Sequence, residues 1–120
     1  MKFRSLLLAA LGSFAIGLYA GDADVEIEHL IQRVENSGCS YVRNGTEHSA
    51  ADAADHLRLK HRRGKRYVDT AEHFIDRLAS ESSWTGKPYQ MRCGERTEPS
   101  AVWLHRALDD YREAAPVARQ

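Results

Sequence analysis

The sequence predicts an α+β, helix-dominated domain: about four helices with a small antiparallel sheet, in the order α-β-β-α-α-β-α, closed by one disulfide. Three observations predict it. Apolar residues recur at i, i+3, i+4, i+7 in three separate stretches. Asn44-Gly45 interrupts a short β-prone run, and Tyr89, Met91 and Cys93 alternate with Gln90 and Arg92. At 120 residues there is room for one such domain. With 42% hydrophobic and 28% charged residues, the composition is globular rather than disordered.

The first helix carries its stripe at Ile27, Leu30, Ile31 and Val34. Asp22 or Asp24 caps its start, and Gly38 stands where a left-handed residue ends it. Strands at about 39–43 and 46–48 follow, joined by Asn44-Gly45, a pair suited to the positive φ angles of a type I′ turn. Ser49-Ala50-Ala51-Asp52 is close to a capping box and starts the second helix. Its stripe is Ala50, Ala53, Ala54 and Leu57, and alanine there allows a neighbour to approach closely. Gly64 ends it. Thr70 caps the third helix, striped by Ala71, Phe74, Ile75 and Leu78, and residues 80–86 (SESSWTG) form a loop. Strand 88–93 is expected beside strand 39–43, with Cys39 and Cys93 adjacent. Pro99 leads into the last helix, with Ala101, Leu104, Leu108 and Tyr111 inward and Trp103 on the flank, fraying after about Glu113.

Residues 1–20 have the grammar of an export signal. Lys2 and Arg4 precede an apolar run from Leu6 to Ile16, then small residues. Cleavage is expected after Ala20, with Gly17 as the alternative. The run falls short of the ~20 apolar residues of a spanning helix, and no cysteine near the cleavage point offers a lipid anchor. The expected organisation is a signal peptide over 1–20 and one mature domain over 21–120, exported and not membrane-spanning after cleavage. Both cysteines lie in the mature part. In an oxidising compartment two cysteines imply one bridge, Cys39–Cys93, and leave no thiol for catalysis.

Removing Lys2 and Arg4 leaves 15 bases against 17 acids, a balance unlike that of a nucleic-acid binder. The bases are unevenly placed. Arg58, Lys60, Arg62, Arg63, Lys65 and Arg66 put six positive charges into nine residues, a candidate surface for an anionic cell-wall polymer, a lipid surface or an envelope protein. Complementing the helix dipole accounts for some of them. The six histidines match no zinc spacing, and the serines of the 80–86 loop match no nucleophile motif. No catalytic, cofactor-binding or metal residue is assigned, and no cofactor is expected. With Trp84 and Tyr89 near it, the loop is better suited to recognition than to chemistry.

Several short stretches together resemble the YfeK-like proteins, small bacterial periplasmic proteins of unknown function. They are IEHLI-x-x-VE-x-SGC (Ile27 to Cys39), Arg43-Asn44-Gly45, His56-Leu57 with Lys60, and Thr70-Ala71-Glu72 with Phe74-Ile75. Thr85-Gly86, Pro88-Tyr89, Cys93, Ser100 and Trp103-Leu104 complete the set. Thr85 departs from the expected serine. The resemblance implies a periplasmic location and paired cysteines and carries no activity. Arg43, His56 and Lys60 are the polar matches that no cap, turn or core accounts for, so they form a candidate polar site. The leading expectation is a binding or accessory module for an envelope protein or cell-wall component, not an enzyme. One alternative is a small hydrolase or metal-dependent enzyme using His56, Lys60 and Arg43. The other is an envelope stress or stability protein without a specific ligand.

Overall fold

A computed structural model describes residues 23–119 of the chain, with side chains through Ala114. The expected signal segment lies outside the described residues, and so does Asp22. Helix α1 spans Ala23–Glu35, strands β1 and β2 Ser40–Arg43 and Thr46–His48, and helix α2 Ala50–Arg63. A 3₁₀ turn at Lys65–Tyr67 precedes α3, Ala71–Phe74, which continues as a π-turn over Ile75–Ala79. Strands β3, Gln90–Cys93, and β4, Arg96–Pro99, lead into α4, Ser100–Arg119. No helix among the described residues is long and apolar enough to cross a membrane.

Local chemistry sets the boundaries. Asp24 sits inside the first turn of α1, where a carboxylate suits the helix dipole, rather than at a cap. Ser49 accepts a hydrogen bond from the Asp52 amide and Thr70 one from the His73 amide, capping α2 and α3. Asn44 and Gly45 have φ of 49° and 80°, the type I′ pair. Gly64 ends α2 for a reason of space. Its φ is an ordinary −103°, but a Cβ there would stand 2.8 Å from Leu78 Cδ2. Helix α4 runs past the end expected near Glu113.

The four strands form an antiparallel sheet ordered β2-β1-β3-β4. The central register puts Tyr41 opposite Met91, both buried, so one face of the sheet joins the helical core. Continuing it one pair puts Cys39 opposite Cys93, with Cα atoms 4.5 Å apart and the disulfide formed. Strand β4 adds an edge that the sequence did not announce, because Arg96-Thr97-Glu98-Pro99 has no apolar alternation. On the open face, Glu47 accepts hydrogen bonds from Ser40 and Arg92 across three strands.

Helix α1 is the centre of the helical layer, with Ile27, Leu30, Ile31 and Val34 fully buried and α2, α3 and α4 packed around it. Ala53 and Ala54 let α2 lie close against it. The third stripe departs from expectation. The π-turn adds one residue to the repeat, so Ala79 rather than Leu78 completes the core face, and Leu78 is only half-buried. Tertiary bonds hold this irregularity. The Ala79 carbonyl accepts from Tyr41 Oη (2.7 Å) and Ser100 Oγ (3.0 Å), both buried, and the Ser80 hydroxyl donates to the Ile75 carbonyl.

A polar clamp closes the other end. Arg112 of α4 donates to Glu26 of α1 (2.8 and 2.9 Å) and to Glu72 of α3 (2.6 and 3.1 Å). These bonds hold the Glu72 carboxyl below its ordinary range. A depressed carboxylate stabilises the fold above its unfolded pKa, and that contribution is lost as pH falls through the folded value. Arg112→Met is therefore expected to cost about 1 kcal/mol at neutral pH, discounted for a half-exposed pair. Urea titrations at several pH values should show the gap to wild type closing in acid. Replacing both cysteines by alanine should cost about 4 kcal/mol, because the bridge closes a span of 54 residues.

Candidate functional site

Where the end of α2 meets the loop between the π-turn and β3, the surface opens into a cleft of ≈ 410 Å³. Its walls are apolar at Leu59, Leu78 and Tyr67. Arg43, Lys60 and Arg63 line it, and among the described residues no acidic side chain does. The half-buried Leu78 released by the π-turn thus forms part of this wall, against Gly64.

Two linked pairs build the floor. Arg43 at the end of β1 reaches across to α2, with Nη1 3.3 Å from His56 Nε2. A guanidinium only donates, so Nε2 is the acceptor and the His56 proton resides on Nδ1. One helical turn further on, Lys60 Nζ donates to Tyr89 Oη (3.2 Å) and to the Glu81 carbonyl (3.4 Å), and lies 5.0 Å from the centre of the Tyr89 ring. Tyr89 packs edge-on to His56. Its oxygen receives from Lys60, and its own O–H has no acceptor among the described residues. Arg43 Nε is buried and equally unpartnered among them. The charged groups at the floor, Arg43 and Lys60, only donate, and the net charge there is positive.

His56 is kept neutral. Burial, then the charges of Arg43 and Lys60 and the neighbouring His48, lower its pKa to about 4. A histidine with a lowered folded pKa stabilises the fold above its unfolded value near 6.5, and that contribution is lost between there and about 4.

The rim is a braced loop. Ser82, buried, accepts from Asn44 Nδ2 and from the amides of Trp84 and Thr85, while Thr85 Oγ1 donates to Asn44 Oδ1 (2.7 Å). The Ser82 amide donates to the Lys87 carbonyl, and a β-bridge joins Glu81 to Pro88. At the tip stands Trp84, 95% exposed. Thr85 supplies the hydroxyl that a serine would, so its departure from the resembled pattern leaves the brace intact.

The structure brings the candidate polar site together: Arg43, His56 and Lys60 all line this one cleft. It divides the candidate basic surface. Arg58 is engaged with Glu28 and Glu35 of α1, and Lys65 lies 3.7 Å from Asp24. Lys60 and Arg63 face the cleft, and Arg62 and Arg66 are exposed outside it. The six charges are not one patch, because successive residues of a helix point to different faces. Sequence reasoning missed Ser82 as the loop's anchor and Tyr89 as the partner of Lys60. Only the pairing of Asn44 with a serine 38 positions away reveals the first. Among the described residues no three His, Cys, Asp or Glu side chains group as metal ligands.

Fold and site define a small α+β domain, closed by one disulfide, with a cation-lined cleft under an exposed tryptophan. The chain matches the "Family of unknown function (DUF5329)" over residues 21–112 and belongs to that family. It is also 54% identical over 50 residues to the uncharacterised protein YfeK of Salmonella typhimurium, a stretch covering 42% of each chain. The matched stretch thus spans less than half the length of that curated relative. No solved structure matches the chain.

In NMR titrations, His56 is expected to protonate near pH 4, below an ordinary histidine near 6.5. Arg43→Gln should move that midpoint upward by removing the nearest charge. An unchanged midpoint would mean that Arg43 does not govern the floor.

Proposed function

We propose that the protein is an exported binding module that holds the anionic end of a cell-wall component in the cleft. The observation that carries this reading is the cationic floor of Arg43 and Lys60 beside the Tyr89 hydroxyl, set beneath Trp84 on a braced loop. Half-buried cations with no acidic side chain beside them among the described residues favour an anionic, acceptor-rich ligand. An aromatic ring at 95% exposure contributes nothing to the core, and its loop is already ordered, so little conformational entropy is lost on binding.

Three features support export: the signal-like residues 1–20, the disulfide, and a family match that begins at residue 21, next to the expected cleavage point. The hydrolase alternative draws less support, because it needs a basic lone pair in the cleft. The lone pair of neutral His56 is already engaged by Arg43. A stability role without a ligand leaves Trp84 and the cationic floor unaccounted for.

The test is co-sedimentation of the purified, oxidised protein with insoluble cell-wall material. Arg43→Gln with Lys60→Met should weaken binding more than about tenfold, since each removes a charge-assisted donor. Arg62→Glu with Arg66→Glu, outside the cleft, should change it much less at physiological salt. The reverse ranking would move the function from the cleft to the exposed basic face.

A further inference from the structure

Building on the cleft reading above, we propose that the ligand is an acidic saccharide, with a sugar ring stacked on Trp84 and its carboxylate directed to Arg43 and Lys60. Four observations lead there. First, the stacking face is available at Trp84 and not at Tyr67. The Arg66 guanidinium already lies over the Tyr67 ring, 5.0 Å from its centre, while Trp84 is 95% exposed on a backbone held by hydrogen bonds from the Trp84 and Thr85 amides to Ser82 Oγ. Second, the lining holds cations and no acid, so the bound group is negative.

Third, the helix end at the cleft has the wrong polarity for a dense dianion. Lys60 and Arg63 lie in the last turn of α2 and Gly64 caps it, at the negative end of the helix dipole. Phosphate sites use the opposite end of a helix. A singly charged carboxylate loses less in that field than a dianion does. Fourth, Asn44 and Ser83 give the rim uncharged polar groups that both donate and accept. A ring with one apolar face, several hydroxyls and one carboxylate satisfies all four. The ≈ 410 Å³ volume lies within the range of small-ligand sites.

The experiment follows tryptophan fluorescence of the purified, oxidised protein during titration with four probes. These are a uronic-acid disaccharide, the neutral disaccharide of the same linkage, a nucleoside monophosphate, and a dipeptide with a free C-terminus. The uronic-acid disaccharide should give a saturable blue shift and bind at least about tenfold more tightly than its neutral counterpart. Trp84→Ala, which removes the reporter and is titrated by calorimetry against wild type, should bind it roughly five- to tenfold more weakly with no change in urea midpoint, because the ring is 95% exposed. Tighter binding of the nucleotide or the dipeptide would overturn the saccharide and leave the anionic cleft standing. If no anionic probe binds, and Arg43→Gln with Lys60→Met still sediments with cell-wall material as wild type does, both readings fall.

Discussion

The structure depends on the pairing of β1 with β3, with Tyr41 opposite Met91. This register joins the two halves of the chain across a long sequence separation. Two steps along it the cysteines meet. Two steps in the other direction β1 ends at Arg43, beside α2 and within reach of His56. The same pairing carries Tyr41 Oη to the Ala79 carbonyl, which pins the π-turn. A slip of one residue would turn Tyr41 and Met91 to solvent and separate the sulfurs. The disulfide therefore stabilises the fold and also locks the register that assembles the cleft.

A second consequence lies in the π-turn. By adding a residue to the helical repeat it sends Ala79 to the core and leaves Leu78 at the wall of the cleft. Such an insertion weakens a regular helix, and it persists here because Tyr41, Ser80 and Ser100 all bond to its carbonyls. Irregular backbone of this kind often marks functional surfaces, and in this chain it borders the cationic cleft.

Much of the fold was legible because local chemistry and tertiary packing agree. The i, i+3, i+4, i+7 stripe of α1, the caps at Ser49 and Thr70 and the Asn44-Gly45 turn state their conformations within a few residues. The alternation around Met91 predicted the strand and the meeting of the cysteines. The π-turn was not legible, since Ala71, Phe74, Ile75 and Leu78 fit a regular helix and the groups that alter it come from distant segments. Strand β4 was hidden because an edge strand with one face in water has no need of apolar alternation. At the site, Arg43, His56 and Lys60 stood out as polar residues without a local role. Their link through Tyr89, and the bracing of Trp84 by Ser82, are tertiary facts that no spacing in the sequence contains.

The central claim is that the cleft, and not the exposed basic face of α2, meets the ligand. The most direct measurement is a ¹H–¹⁵N spectrum of labelled protein with and without soluble, enzymatically released cell-wall fragments. With the ligand in the cleft, the largest shifts fall on the Trp84 indole N–H and on the backbone amides of Arg43, Lys60 and Tyr89. Shifts confined to Arg62 and Arg66, with Trp84 unmoved, would contradict it.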